Sequence, residues 1–575
     1  MDNKSYITVA VVTLAAGLAA YAVYFDYRRR NDVEFRKKLK KEKKRVEKVV
    51  AQSKETELAA STSDITPAAL REALKQVKAE EGPKTPEEKE NYFMTQVNAG
   101  EQLALQGPKF YLPSALAFFR ALRVYPAPVE LIVIYEKTII EPLIMELTQL
   151  DVKYRIEAYY DFFPPKRSNV SVELRPTSPG QPPRQVLVAN KDFAAGEVIY
   201  KEFPVVTALD PDLQAKGTHC GHCLRPIQPG MSLQTPSDSS SSPFHLTYCS
   251  KACMLASKNQ SHSLLFTLDP PLPQEIQTQP IPAAAQEARR EAQAKFAEYI
   301  KTEGRLSPLL VARFIARQVA GETQKLVRAT SPATAANAGD SENDFTDSED
   351  VAEKYVLADH LERLRYLEIP PNKTEADLIK GVLSTALPGL EEFITEEKHA
   401  TFSGKMAYNA FGVCFGGGRT DRPEPKGRPE DVEKTRTPYG TQGQVGSALY
   451  TVSSYLTHSC IPSARPSFSS GTAEMSIIAN KDIKKGDILT IAFVDVNQHA
   501  NETVVECRRR RRYEIARGWR FSCGCERCVE EGKDMTSEEK ANVKDEQKDE
   551  SKLEDTVKSY AQAQTFEQTD VDGTD

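Results

Sequence analysis

Cys220-Gly-His-Cys223 is followed, after a Ser-rich loop, by Tyr248-Cys249-Ser-Lys-Ala-Cys253. Two such pairs make a closed four-thiolate set, the usual arrangement around a structural zinc ion. Unrelated free cysteines are the competing reading. His219, His222 and His262 read as bystanders. The chain has 10 cysteines, all after residue 219, and eight of them fall into metal-like clusters. In a cytosolic chain such spacings read as zinc rather than disulfides. The last three lie in Phe521-Ser-Cys523-Gly-Cys525-Glu-Arg-Cys528, a second strong metal signature.

Working outward, Gln185 to Val206 reads as two strands around the turn Ala194-Ala195-Gly196-Glu197, and the Pro-rich stretch from Arg175 to Pro183 as a linker. Downstream, residues 284–330 look helical, while Thr330 to Asp350 and Thr420 to Gly440 read as mobile insertions. The end, Glu530 to Asp575, is acidic and poor in aromatics, which predicts a disordered tail.

Upstream of the linker the pattern is helical. Thr85-Pro86-Glu87-Glu88 is a capping-box start, and its helix sets Phe93, Val97, Gly100 and Ala104 on one face before Gly107-Pro108 stops it. Further helices are predicted from Pro113 to Val124, Val129 to Lys137 and Pro142 to Leu150. A plain helical bundle accounts for these apolar residues as core.

Still further upstream, Tyr6 to Phe25 carries no charge and is just long enough to cross a bilayer as a helix. From Asp26 to Lys48 there are 12 Lys/Arg against 5 Asp/Glu, a net of +7. Positive flanks stay cytosolic, so the expectation is an uncleaved anchor with a short translocated N-terminus. The same basic run reads as a collar and solvated stalk beside an anchor rather than a nucleic-acid patch. At 575 residues and net charge −6, two or three domains are expected after the anchor.

The basic-flanked anchor, Phe35-Arg36-Lys37-Lys38-Leu39, the phrase Ser114-Ala115-Leu116-Ala117-Phe118-Phe119-Arg120-Ala121-Leu122-Arg123-Val124-Tyr125-Pro126, and Ile134-Tyr135-Glu136-Lys137-Thr138 closely resemble one family. It is the twenty-kilodalton receptor subunit of the mitochondrial outer-membrane translocase, in its fungal form. Tyr159-Tyr160-Asp161-Phe162-Phe163-Pro164-Pro165 looks like the family's end. The resemblance implies a tetratricopeptide-like fold that receives amphipathic presequences in an apolar groove. It places Phe93, Met94 and Val97 on one wall and Ile134 and Tyr135 on the other, with Glu101, Glu130 and Glu136 facing the cationic side of the presequence. For each apolar residue, plain core packing is the alternative. Other translocase subunits are implied partners.

The later motifs resemble a second family. Lys405-Met406-Ala407-Tyr408-Asn409-Ala410-Phe411-Gly412, Tyr455-Leu-Thr-His458-Ser-Cys460-Ile-Pro462, Lys485-Gly486-Asp487-Ile488-Leu489-Thr490-Ile491 and the terminal cysteine triplet follow the order of SET lysine methyltransferases split by a MYND zinc finger. By that pattern Cys460 supplies the fourth thiolate to Cys523, Cys525 and Cys528, while Cys414 and Cys507 fit no ligand role. Asn409, His458 and Phe521 would touch the cofactor, S-adenosylmethionine. The sequence departs from the family where chemistry is done. The glycine cradle G-x-G-L-x-A is Arg184-Gln185-Val186-Leu187-Val188-Ala189, so side chains stand where backbone must approach a ligand. The family's Asn before His458 is Thr457, and the catalytic tyrosine position is Phe493, without its hydroxyl. The finger's second metal set lacks its cysteine pair, and Phe266 stands where a last ligand would fall.

The fold expected is multidomain. A transmembrane anchor (1–27) and a charged stalk and linker (28–84) precede an all-α tetratricopeptide-like receptor domain (85–165). A Pro-rich linker (166–183) leads to a β-rich SET-like domain (184–530) with a MYND-like insert (220–266) and a post-SET zinc site, then an acidic tail (531–575). The function implied is a single-pass import receptor of the mitochondrial outer membrane, N-terminus in the intermembrane space and bulk in the cytosol. It carries two zinc ions and a fused, degenerate SET module. The alternative is an outer-membrane-tethered protein-lysine methyltransferase.

Overall fold

A computed structural model of the chain describes residues 67–80, 82–83, 86–124, 141–176, 183–234, 244–270, 282–330, 355, 357–387, 394–423 and 433–533. The expected anchor, residues 28–66 of the expected stalk and linker, the helix expected over 129–137 and the acidic tail from 534 onward lie outside the described residues. No described helix is long and apolar enough to cross a membrane. The chain divides into two compact units, Met1–Ile156 and Glu157–Asp575.

The first unit is helical: α1 (Pro67–Ala79), α2 (Pro86–Ala104), α3 (Tyr111–Val124) and the start of α4 (Glu141–Phe162). α1 lies in the stretch expected as stalk and linker. Its Leu70, Leu74 and Val77 recur at helical spacing, and all three are buried. They share a core with Ala115, Phe118, Phe119 and Leu122 of α3 and Leu143, Ile144 and Leu147 of α4. Each such side chain contributes roughly 1.5–3 kcal/mol by leaving water. α2 starts at Pro86, as its cap predicts, and crosses α3 at Gly100. A Cβ there would lie 2.9 Å from the Phe118 ring, so only glycine lets the two helices close. Ser114 Oγ donates to the Gly100 carbonyl across the same crossing, 2.6 Å.

The second unit begins inside α4. Tyr159 and Phe163, from the segment read as the receptor family's end, are buried in this unit's core. The Tyr159 hydroxyl lies 2.6 Å from His360 Nδ1, and the Phe163 ring packs 4.9 Å from the same imidazole. β1 (Val170–Arg175) then pairs antiparallel with β2 (Arg184–Ala189) over six residues. All of β1 falls within residues 166–183, where a Pro-rich linker was expected. Its alternation, Val170 and Val172 inward and Glu173 outward, is an ordinary strand signal.

Two three-stranded antiparallel sheets form the body. One runs β3 (Val198–Glu202), β9 (Met475–Ala479), β8 (Ala464–Ser467) and the other β4 (Val206–Leu209), β6 (Gly446–Leu449), β5 (Phe411–Val413). A short parallel pair joins β7 (Thr457–His458) to β10 (Thr490–Ile491), setting His458 opposite Ile491. The finger helix α5 (Lys251–Ser257), then α6 (Ala283–Glu303), α7 (Ser307–Thr330), α8 (Lys373–Ala386) and α9 (Glu396–Asn409), pack around these sheets. α10 (Val504–Trp519) and α11 (Glu526–Lys533) end the described chain. Residues 433–440 fall in a stretch expected as a mobile insertion. Instead Thr435, Arg436 and Thr437 are buried.

Candidate functional site

Both cysteine sets converge. The sulfurs of Cys220, Cys223, Cys249 and Cys253 lie within 4.8 Å of one another, as do those of Cys460, Cys523, Cys525 and Cys528. Measured edges are 3.6 Å for Cys223–Cys249 and Cys249–Cys253, and 3.5 Å for Cys460–Cys528. A tetrahedral zinc ion with ~2.3 Å bonds to sulfur needs edges near ~3.8 Å, so both sets fit the ion. Four thiolates close the coordination shell, which makes any such zinc a brace with no position left for a substrate. Ser250 caps α5, its hydroxyl accepting from Cys253 N–H at 3.1 Å, which aims two thiols inward. Cys414 and Cys507 stay outside both clusters.

Where a second finger metal would sit, three phenylalanines stack. Phe244 and Phe266 lie 4.1 Å apart at 14°, and Phe266 and Phe296 6.0 Å apart at 7°. His262, read as a bystander, is buried against Phe266. Apolar packing takes the place of the ligand set.

The terminal cluster is held by a run no motif pointed to, Arg508 to Arg512 on α10. Arg508 Nε donates to the Cys528 carbonyl at 2.8 Å, Arg512 Nη2 to Ser522 Oγ at 2.6 Å, and Arg511 pairs with Glu531. Arg510 reaches Glu502 and the Asp495 carbonyl. Four of these five charges are spent on partners within the fold, and Arg509 is exposed.

His458 links the zinc brace to a cleft. Its Nδ1 accepts from Phe493 N–H at 3.1 Å, so the ring proton belongs on Nε2, 3.5 Å from Cys460 Sγ. Burial pushes the imidazole down to about 4, which keeps it neutral. His458, Phe493 and Phe521 all line the cleft, with Arg184, Arg365, Tyr408 and Tyr455. Asn409 does not line it. It is fully buried, Nδ2 donating to the Arg365 carbonyl (2.6 Å) and the Lys405 carbonyl (2.9 Å), and Oδ1 accepting from Arg436 Nη2 (3.0 Å).

The motif around Asn409 therefore acts as a clamp. Lys405 Nζ donates to the carbonyls of Leu361, Glu362 and Leu364 at 2.7, 2.8 and 3.2 Å. A Cβ on Gly404 would sit 2.1 Å from the Leu367 carbonyl oxygen, so glycine is required for this approach. Together they fix the segment that carries Arg365. From the other side Glu202, buried beneath the turn Ser453–Tyr455, accepts from the N–H groups of Val452 and Ser453 at 2.8 and 2.9 Å. That turn presents Tyr455 to the cleft.

Arg436 packs against the ring of Phe493. Its guanidinium stands 4.5 Å from the Phe493 ring centre, with Trp519 5.2 Å away on the same ring. It donates to the carbonyls of Tyr408 and Ser454, each at 3.0 Å. Burial pulls this guanidinium down to about 9. Burial pushes the Tyr408 phenol up, but the charges of Arg365, Arg184 and Arg436 outweigh it and leave the phenol below its ordinary value.

The residues of this cleft do not match a cradle for S-adenosylmethionine. The cleft's empty space is about 260 Å³ with open solvent counted in, so little of it is enclosed. Arg184 occupies the position of a cradle glycine and points into that space, and Val186 is fully buried beside it. A sulfonium would also have to sit among guanidiniums.

On the helical unit, Met94 is 53% exposed while Phe93 and Val97 are half-buried against the core. Glu101 is exposed. Ile134, Tyr135, Glu130 and Glu136 lie outside the described residues.

Comparison with known proteins separates the two parts. The MAS20 protein import receptor family matches residues 8–158, and the SET domain family matches residues 185–494. The mitochondrial import receptor subunit tom20 of Neurospora crassa is 42% identical over 146 residues, 25% of this chain and 77% of the relative. The corresponding TOM20 of Saccharomyces cerevisiae is 37% identical over 137 residues, 24% of this chain and 72% of the relative. In the second part, the mouse protein-lysine N-trimethyltransferase SMYD5 is 35% identical over 97 residues, covering 16% of this chain and only 22% of its own length. The chain belongs to the MAS20 import-receptor family through its N-terminal quarter and to the SET-domain family over the greater part of its length.

Proposed function

We propose that the chain is an import receptor of the mitochondrial outer membrane that binds amphipathic presequences and carries a non-catalytic, zinc-braced SET unit. The observation that carries this reading is the contrast in coverage. The receptor relatives match over about three quarters of their own length, the methyltransferase relative over about a fifth. In this reading Tyr6 to Phe25 anchors the chain, the basic collar keeps the bulk cytosolic, and other translocase subunits are its neighbours. Its helices form a tetratricopeptide-like groove, and Met94, with Phe93 and Val97, lines one wall.

Met94 gives the cleaner test because it is mostly exposed, so its loss leaves the core untouched. Met94→Ser should weaken binding of a presequence peptide to the full-length chain by about 1 kcal/mol with unchanged thermal unfolding. Phe93→Ser should weaken it by about 1–3 kcal/mol while also lowering stability. Unaltered peptide affinity in both variants would remove this wall from the binding site.

A further inference from the structure

Three guanidiniums meet around Tyr408, and among the described residues no carboxylate lines the cleft in front of them. Arg365 Nη1 donates to the Tyr408 hydroxyl at 3.0 Å, and Arg436 lies behind, committed to backbone and amide oxygens. Arg184 is different. Its Nε is buried without a hydrogen-bond partner among the described residues, and its guanidinium lies 5.7 Å from the Phe521 ring centre. An orphaned donor in a half-buried guanidinium costs stability unless something accepts from it. The cleft thus offers two forks of N–H donors, a positive potential unopposed by any lining acid, and aromatic faces at Phe521 and Tyr408. Guanidinium forks match the planar geometry of carboxylate and the oxygens of phosphate.

We propose that this cleft binds a small aromatic oxyanion, a carboxylate or phosphate on a planar ring, in place of the methyl donor that SET domains use. Arg184 and Arg365 would hold the charged end, and Phe521 would stack on the ring. The assignment rests on the reading of the SET unit as non-catalytic. It is independent of the receptor groove.

The chain's single tryptophan reports on the site, because Trp519 packs against Phe493 and Phe493 lines the cleft. Phenyl phosphate, benzoate, benzyl alcohol and S-adenosylmethionine are titrated into the full-length, zinc-loaded chain while Trp519 emission and heat are followed. Both oxyanions should saturate, and benzyl alcohol, the same ring without charge, should bind at least tenfold more weakly. Arg184→Gln should weaken the oxyanions tenfold or more and leave benzyl alcohol unchanged, while Arg184→Lys retains part of the affinity. The Arg184 guanidinium Nε has no hydrogen-bond partner among the described residues, and an unchanged zinc content would verify that the variants are intact. A tighter arm for phenyl phosphate or for benzoate tells which oxyanion is preferred. Equal binding of benzyl alcohol and the oxyanions, or indifference to Arg184→Gln, overturns the proposal. Tighter binding of S-adenosylmethionine than of either oxyanion overturns it as well. Transfer of labelled methyl to lysine peptides would overturn the non-catalytic reading itself. A chain that neither methylates nor binds oxyanions overturns the anion assignment alone.

Discussion

The thiolate clusters and the cleft lie in one unit, and His458 ties the terminal cluster to the cleft, yet their residues match the family pattern to opposite degrees. At the clusters every sulfur needed for two closed four-thiolate shells is present and within bonding range of one ion. At the cleft, the glycines are Arg184 and Val186, the asparagine is Thr457, and the tyrosine is Phe493. Bracing a fold needs only a few invariant ligands and tolerates any surface between them. Transferring a methyl group needs space, a dry neutral pocket and a placed hydroxyl. In the reading proposed above, the frame is present without the chemistry.

The largest effect that could break this contrast is loss of metal. The full chain should hold two zinc ions, and structural zinc sites contribute on the order of 10 kcal/mol to folding. Cys528→Ser should reduce the count to one and shift Trp519 emission toward that of exposed indole. Three zinc ions per chain would mean that the finger keeps its second metal, contrary to the stacked phenylalanines.

A smaller effect tests that stack directly. Phe266 is buried between Phe244 and Phe296, so Phe266→Ala should cost about 3–5 kcal/mol without lowering the zinc count. Loss of zinc along with stability would mean that the stack and the four-thiolate set are one cooperative element.

His360 sharpens the comparison through pH. Burial pushes its imidazole down to about 4, with Asp359 and Arg363 the nearest charges and the Tyr159 hydroxyl at Nδ1. The folded state therefore binds fewer protons than the unfolded state between pH ~4 and ~6.5, so stability falls as pH drops through that window. His360 alone should account for about 3 kcal/mol lost by pH 4. His222 and His458, also pushed down to about 4 by burial, add slopes of the same sign. Urea unfolding of wild type and His360→Asn across this range isolates the His360 share. Identical slopes would show that this imidazole stays accessible to protons.

The smallest effect is expected where a single atom is restored. Phe493→Tyr returns the hydroxyl under the Arg436 guanidinium but leaves Arg184 and Val186 in place. Methyl transfer should remain at background, and stability should change by only about 1 kcal/mol. A variant that transfers methyl to lysine would show that one hydroxyl was the whole obstacle.

What could be read from the sequence follows the range of the interactions. Cys220, Cys223, Cys249 and Cys253 announce themselves because the chelate is built from two local pairs. Cys460 was reached only through family order, since its partners lie more than sixty residues away. α1 was missed because Ser, Thr and Ala before it gave a linker composition, although Leu70, Leu74 and Val77 carried the helical period. β1 was masked by the prolines that follow it. Arg365 and Arg436 carry no local signature. One is placed by the clamp of Lys405 and Asn409, the other by four acceptors from separate segments. Charge that is organised by tertiary contacts cannot be read from neighbours in sequence.

The segment from Tyr159 to Arg175 carries a consequence for how such a chain can be taken apart. It precedes the residues matched by the SET family, yet supplies Tyr159, Phe163, Val170 and Val172 to that unit's core and a six-residue partner for β2. A protease or a splice junction cutting just before Arg184 would leave an edge strand unpaired and a hole where two aromatic rings belong. The product would be prone to aggregate rather than persist as a free SET unit. An intact second unit would then require the chain to be cut, if at all, upstream of Tyr159.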